Sequence, residues 1–93
     1  MSKQMIRLSK RAIRELTNSK PVLYIITSNN GTNIYTGTAK RGELKDTLAT
    51  HFYGQENHVP GARVKIFELS SIKDARDKAK EIIEQEQPKY NLA

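Results

Sequence analysis

Runs of β-branched and aromatic residues predict three β-strands in the chain. Residues 22–27 form a nearly continuous apolar segment, which is typical of a strand buried on both faces. Residues 33–37 are expected to return beside it as a hairpin, because the intervening Asn30 and Gly31 are a strong turn signal. Residues 64–69, in which apolar and polar positions partly alternate, are predicted to form the third strand.

Apolar residues at helical spacing predict three helices around these strands. Ser9 is the expected N-cap of a short first helix. The second helix begins near Glu43 and carries apolar residues at every fourth position, Leu44, Leu48 and Phe52. The third begins at Ser71, in a capping sequence, and ends before Pro88. The order helix, hairpin, helix, strand, helix predicts an α+β fold, a small three-stranded antiparallel sheet flanked by helices.

Positive charge is concentrated at the N-terminus of the 93-residue chain. The sequence has 16 Lys and Arg against 10 Asp and Glu, a net charge of +6, and residues 1–20 carry six of the basic side chains with one acidic one. We interpret the chain as one domain, residues 1–93, with a basic helical extension before a core at 21–91. Such a segment favours nucleic acid through counterion release, or it serves only solubility. The expected nucleic-acid contacts on it are Lys10, Arg11 and Arg14.

Several classes of site and location are disfavoured by what the sequence lacks. It has no cysteine, so it can hold neither a disulfide nor a thiolate metal site. No apolar run approaches the ~20 residues that a membrane span requires, so we expect a cytoplasmic protein with no membrane partner. The chain has no glycine-rich phosphate motif, and its two histidines lack the spacing of metal ligands.

Two tyrosine-containing hairpin strands are followed by a helix and a closing Pro-Lys-Tyr-Asn pattern. Residues 22–24 read Val-Leu-Tyr, residues 35–37 read Tyr-Thr-Gly, and residues 38–42 lead into the second helix. Residues 88–91 supply the closing pattern. In this order, across residues 21–91, these segments resemble the GIY-YIG nuclease superfamily. The resemblance implies the fold of its small single-domain members and a site built for phosphodiester cleavage.

The resemblance also implies four catalytic groups, of which this sequence retains two. A hairpin tyrosine that helps to activate water matches Tyr24, and a supporting tyrosine matches Tyr35. The helix arginine that steadies the phosphate falls on Thr47, and the glutamate that holds a divalent metal falls on Ala79. That metal would be Mg²⁺ or Mn²⁺ in an active protein, whereas no cofactor is expected for the sequence as it stands. Alternatively, both tyrosines are simply core residues of the hairpin.

Five further residues are candidates for the site. His51 joins the catalytic set, although a single histidine is more often structural. Gly37 and Asn91 have expected structural roles, Asn91 through hydrogen bonds to the backbone near the C-terminus. Lys40 and Arg41 directly follow the second strand, so they are expected to contact nucleic acid. Either could also steady a phosphate in place of the missing arginine.

These observations lead to one principal prediction and two alternatives. The principal prediction is a GIY-YIG-like protein that binds nucleic acid, DNA in preference to RNA, and cleaves it weakly or not at all because Thr47 and Ala79 lack charge. One alternative is an active endonuclease that takes a carboxylate from Glu43 or Glu68, or one inactivated at Ala79 by a substitution common in laboratory work. The other alternative is a protein-interaction module or inhibitor with a protein partner.

Overall fold

A four-stranded antiparallel sheet forms the centre of this computed structural model, which describes residues 3–52, 54–55 and 57–91. The strands, which lie side by side in the order first, fourth, second, third, are β1 (Lys3–Arg7), β2 (Val22–Thr27), β3 (Asn33–Ala39) and β4 (Arg63–Glu68). The helices are α1 (Lys10–Arg14), α2 (Leu44–Ala49) and α3 (Ile72–Glu86), followed by a 3-10 turn at Lys89–Asn91. None of these helices in the described ranges is long and apolar enough to cross a membrane. The predicted α+β class is confirmed.

The sheet contains one strand more than the three predicted. β1 lies in the basic segment 1–20, for which the sequence predicts only a helix. Its side chains are mostly exposed and do not alternate between apolar and polar, so they carry no strand signal. The strand forms through backbone pairing with β4, from Lys3 opposite Phe67 to Arg7 opposite Arg63. Charged side chains on such an edge strand also discourage pairing with other chains.

One face of the sheet packs against α1 and α2 and positions the first tyrosine. Alternate residues of β2 are buried with apolar residues from the two helices and β4, a cluster that includes Val22, Tyr24, Ile26, Ile13, Leu48 and Val64. Successive side chains of a strand point to opposite faces, so Tyr24 points to the same face as these partners. In the register of the hairpin, Tyr24 lies opposite Gly37 of β3.

The buried Asn18 side chain connects the segment after α1 to the start of α2. Its Nδ2 donates to the carbonyls of Lys20 and Lys40, each at 2.9 Å. Its Oδ1 accepts from the Leu44 N–H at 3.1 Å. This last bond satisfies a donor at the first turn of α2, since the N-cap residue Glu43 makes no side-chain cap. Asn18 thereby fixes where α2 begins relative to β3.

α3 begins with a side-chain cap and ends where the chain turns back towards β3. Ser71 Oγ accepts from the Asp74 N–H at 3.0 Å. Gln87 ends the helix in the left-handed region, with φ of 45°. Beyond it, Asn91 Oδ1 accepts from the Thr36 N–H at 2.7 Å and Asn91 Nδ2 donates to the Thr36 carbonyl at 2.9 Å. Asn91 thus pairs with the β3 backbone as a neighbouring strand would.

Candidate active-site cleft

An open cleft of about 650 Å³ lies between the β2–β3 hairpin, α2, α3 and the C-terminal turn. The residues predicted for the catalytic set come together in its lining, namely Tyr24, Tyr35, Thr47, His51 and Ala79. Gly37 and Asn91, for which structural roles are predicted, line it as well. Residues distant in sequence meet here because the hairpin register, the Asn18 bond to α2 and the Asn91 bonds to β3 fix the elements that carry them.

Tyr24 and His51 form a buried hydrogen-bonded pair in this cleft. Tyr24 is 1% exposed and His51 is 2% exposed. The Tyr24 hydroxyl lies 2.8 Å from His51 Nε2, and His51 Nδ1 lies 2.7 Å from the carbonyl oxygen of Asn57. Because a carbonyl oxygen can only accept, Nδ1 carries a proton. In the neutral ring Nε2 therefore accepts from the Tyr24 hydroxyl.

Burial keeps both members of this pair uncharged. It lowers the pKa of His51 below its usual value, an effect that the hydrogen bond to the Asn57 carbonyl partly opposes. Burial also raises the pKa of Tyr24 far above the usual range for tyrosine, and the neighbouring Tyr35 adds to this shift. At neutral pH Tyr24 keeps its proton, and the pair brings no charge to the cleft.

Glycine at position 37 is required by the close packing of the two tyrosines. A Cβ atom on Gly37 would lie 2.6 Å from the Tyr24 Cζ and hydroxyl oxygen and 2.9 Å from Tyr35 Cε2. These separations are far shorter than ordinary van der Waals contacts. The ring centroids lie 6.1 Å apart for Tyr24 and Tyr35 and 4.8 Å apart for Tyr35 and His51. The three rings therefore form one packed aromatic cluster.

The helical side of the cleft carries neither charged group that the superfamily resemblance implies. Thr47 of α2 is half-buried and Ala79 of α3 is buried. Three charged residues of α3 also line the cleft, Arg76, Lys80 and Glu84. The motif comparison does not identify them as site residues. Helical geometry could have found them, because at 3.6 residues per turn they lie about 60°, 100° and 140° around the helix from Ala79. Motif matching compares positions along the chain and overlooks such neighbours on one face.

None of the five residues predicted to contact nucleic acid belongs to the described lining of the cleft. Lys10 and Arg14 line a separate groove between α1 and α2. Arg11 is exposed on α1, and Lys40 and Arg41 are exposed in the turn between β3 and α2. The predicted contacts therefore divide between a groove, a helix surface and a turn, and they do not form a single patch with the tyrosines.

Crystal structures of the GIY-YIG N-terminal endonuclease domain of UvrC from Thermotoga maritima are similar to this chain. The magnesium-bound domain is 25% identical, with a TM-score of 0.65, over 88% of this chain and 98% of its own. A point-mutant form bound to its catalytic divalent cation is 25% identical, with a TM-score of 0.66, over 91% of this chain and all of its own. This chain has the GIY-YIG nuclease fold. The superfamily resemblance recognised from the sequence is confirmed, while no family model and no curated protein matches the chain.

The cleft of this GIY-YIG chain does not fit the divalent cation that the similar domains bind. Mg²⁺ takes oxygen ligands, usually carboxylates. Among the described lining residues, Glu84 is the only carboxylate, and Lys80 and Arg76 precede it at one-turn intervals on the same helix. Neither Glu43 nor Glu68, the predicted substitutes, belongs to that lining. No group of three or more His, Cys, Asp or Glu residues that could hold a metal occurs in the described part of the chain.

Proposed function

We propose that this chain is a nucleic-acid-binding protein on a GIY-YIG nuclease scaffold, with weak or no phosphodiester cleavage. One observation carries the proposal: Thr47 and Ala79 line the same cleft as the two tyrosines and bring no charge to it. The cleft thus has the shape and the aromatic cluster of a nuclease site without two of the groups that the chemistry needs.

The two vacant positions remove the electrostatic part of catalysis. Cleavage builds negative charge on the phosphate oxygens, which positioned cations or a metal must stabilise. Removing one such donor lowers the rate by roughly 10²–10³. Tyr24 does not compensate, because its proton is shared with His51 in a hydrogen bond and burial raises its pKa. The Tyr24–His51 pair is uncharged and therefore supplies no positive charge to a phosphate.

Binding of nucleic acid is supported by charge and by the similar structures. The chain carries a net charge of +6, and Lys10 and Arg14 flank the groove between α1 and α2. Positive surfaces of this kind bind polyanions by releasing counterions. The similar domains are described as endonuclease domains of UvrC, which favours DNA over RNA as the partner. A cytoplasmic location and a single-domain organisation over residues 1–93 stay predictions from the sequence.

Binding and cleavage measured on the same preparation test the proposal. We expect the protein to bind labelled DNA at low salt and to leave supercoiled plasmid uncut in Mg²⁺ or Mn²⁺. The Thr47→Arg/Ala79→Glu variant should gain metal-dependent nicking, because it restores both charged groups in the cleft. The Ala49→Arg/Gln85→Glu variant changes charge equally on exposed positions of the same helices and should gain none.

Two results would contradict the proposal. Efficient metal-dependent nicking by the unaltered protein would show that the vacant positions do not impair catalysis. Failure to bind either DNA or RNA at low salt would remove the binding function itself. Nicking only by the Thr47→Arg/Ala79→Glu variant, together with binding by the unaltered protein, would support it in full.

A second candidate function, an active endonuclease, is favoured by the presence of Arg76 and Glu84 in the cleft. In that case an arginine and a carboxylate about two turns apart on α3 would stand in for the two missing groups. The unaltered protein would then nick plasmid, and Glu84→Gln would abolish the nicking. Nicking that survives Glu84→Gln would exclude this assignment.

A further inference from the structure

We propose that Arg76 and Lys80 form a metal-independent clamp for the backbone phosphates of nucleic acid in the cleft. This inference rests on the proposed nucleic-acid-binding function and assigns residues to it. It follows from the disagreement between the cleft and the metal of the similar domains. A glutamate in place of Ala79 would attract a metal ion. Instead, α3 carries the positively charged side chains of Arg76 and Lys80 beside that position, and these attract an anion.

The two cations lie one helical turn apart, on the side of α3 that lines the cleft. Residues four positions apart on a helix have Cβ atoms about 6 Å from each other. Arg76 and Lys80 both line the cleft beside Ala79, and both are exposed. Their charged ends can therefore meet an incoming ligand from solvent. The methyl group of Ala79 is small, which leaves space for phosphate oxygens beside the two side chains.

Neither cation is held by an acidic partner. Within the described residues, no hydrogen bond or ion pair joins Arg76 or Lys80 to another group. Two other lysines of the same helix are paired instead, in Lys73–Asp77 at 2.8 Å and Lys78–Glu81 at 3.9 Å. A phosphate that enters the cleft need not displace a carboxylate before it reaches Arg76 or Lys80.

The rest of the lining suits a phosphate in charge and in hydrogen-bonding groups. Glu84 is the only acidic residue in the described lining, so two positive charges face one negative charge. Tyr35 and Thr47 contribute hydroxyl groups, which can donate hydrogen bonds to phosphate oxygens. Arg76 offers the planar fork that binds phosphate in a bidentate manner, and Lys80 acts as a point charge.

A nucleic acid is favoured over a small phosphate because further positive charge lies in the groove on the other side of α2. Thr47 of α2 lines the cleft, while Lys45, about 200° around the same helix, lines the groove that also contains Lys10, Arg14 and one acidic residue, Asp46. A polyanion can contact cations in both places and release counterions at each contact. A free phosphate gains only the two cations of the cleft.

Salt-dependent binding of paired variants tests the clamp. Fluorescence anisotropy of labelled single- and double-stranded DNA is measured over about 50 to 200 mM salt, in EDTA and in Mg²⁺ at matched ionic strength. Arg76→Ala/Lys80→Ala is compared with Lys73→Ala/Lys78→Ala, which removes the same charge from paired lysines of the same helix. Circular dichroism establishes that each variant is folded.

The clamp predicts a difference between these two variants. The unaltered protein should bind as tightly in EDTA as in Mg²⁺. Arg76→Ala/Lys80→Ala should bind at least about tenfold more weakly, and its slope of log affinity against log salt should be shallower by about 2, since each phosphate contact contributes about one. Lys73→Ala/Lys78→Ala should lose less affinity, and its salt slope should change less. Arg76→Lys/Lys80→Arg keeps both charges and should restore most of the slope.

Failure of the clamp is distinguishable from failure of the proposed function. Unchanged binding by Arg76→Ala/Lys80→Ala would overturn the clamp and leave DNA binding to other surfaces. Absence of binding by the unaltered protein would remove both proposals. A requirement for Mg²⁺ would also overturn the clamp. Efficient displacement of DNA by inorganic phosphate at matched ionic strength would identify a small-anion site and overturn the assignment to nucleic acid.

Discussion

The hairpin side and the helical side of the cleft differ in how strongly the fold constrains their residues. On the hairpin side, Tyr24 is 1% exposed and its hydroxyl is hydrogen-bonded to His51. A Cβ atom at position 37 would clash with the tyrosine rings. On the helical side, Arg76 and Lys80 are exposed and make no hydrogen bond or ion pair within the described residues. Packing thus specifies the hairpin side, whereas Arg76 and Lys80 on the helical side face solvent.

The residues of the two sides are therefore not equally informative about function. Tyr24 and His51 are kept in place by the core, because a change in either leaves a cavity or a buried polar group without a partner. Their presence would be expected in a folded relative whether or not it cleaves nucleic acid. On the helical side, the exposed Arg76, Lys80 and Glu84 supply the charges of the described lining, so the charge of the cleft is set there.

The largest effect on stability is expected from Tyr24→Ala, which removes a buried ring from the hairpin side. Removing a buried aromatic ring should lower the free energy of unfolding by about 3–5 kcal/mol, measured by urea denaturation. Thr47→Ala on the helical side should cost less than about 1 kcal/mol. If Tyr24→Ala does not fold, Tyr24→Phe should still cost about 1–3 kcal/mol, because His51 Nε2 loses its donor. Similar small losses for Tyr24→Phe and Thr47→Ala would contradict the contrast.

Gly37→Ala should have the next largest effect. The added methyl group meets the Tyr24 and Tyr35 rings at 2.6 and 2.9 Å, and such overpacking costs about 1–3 kcal/mol. Part of the clash is with the Tyr24 hydroxyl, so Tyr24→Phe should relieve that part and leave the contacts with the two rings. The double variant should therefore be more stable than the sum of the single changes by at least about 0.5 kcal/mol. Strict additivity would show that the Tyr24 hydroxyl does not contribute to the clash.

The hairpin and the last helix could be predicted from the sequence because their patterns arise from burial. β2 is apolar at every position but its last, and α3 has a capping serine, Ser71, that makes the expected bond to the Asp74 N–H. β1 could not be predicted, because its exposed side chains follow no pattern and its structure comes from backbone bonds to β4. Nothing in the local sequence of residues 3–7 encodes a partner located some 60 residues away.

The site was predictable where it depends on motif order and not where it depends on helix geometry. Tyr24, Tyr35 and the two vacant positions follow from the superfamily pattern, and the cleft brings them together. The superfamily pattern assigns no role to Arg76, and its position in the cleft is visible only when the side of α3 that faces the cleft is known. The hydrogen bond between Tyr24 and His51 is likewise a product of tertiary packing, since 27 positions separate the two residues.

Stability should depend on pH through the hairpin side. The folded state lowers the pKa of His51, so the unfolded state binds the proton first. The contribution of His51 to the free energy of unfolding should be fully present above about pH 6.5. Below that pH the free energy of unfolding should fall by at most about 1.4 kcal/mol per pH unit. Tyr24, whose pKa is raised, should destabilise the fold as the pH rises above about 10.

Denaturation curves at several pH values check both limbs of this dependence. His51→Gln should flatten the acidic limb, and Tyr24→Phe should flatten the alkaline limb. Because His58 is present in every variant, the difference between His51→Gln and the unaltered protein isolates His51. An acidic limb that is equally steep in His51→Gln would assign the proton uptake to another group.

The smallest effect on stability is expected from Arg76→Ala/Lys80→Ala on the helical side. Both side chains are exposed and unpaired within the described residues, so the free energy of unfolding should change by less than about 0.5 kcal/mol. The same variant should lose DNA affinity if the clamp is correct. A loss of stability above about 1 kcal/mol would mean that these charges hold α3 in place, as the tyrosines hold the hairpin. If stability is kept while affinity falls, these two charges serve binding and not the fold. The hairpin side has no such freedom, because any change there is first a change in the core.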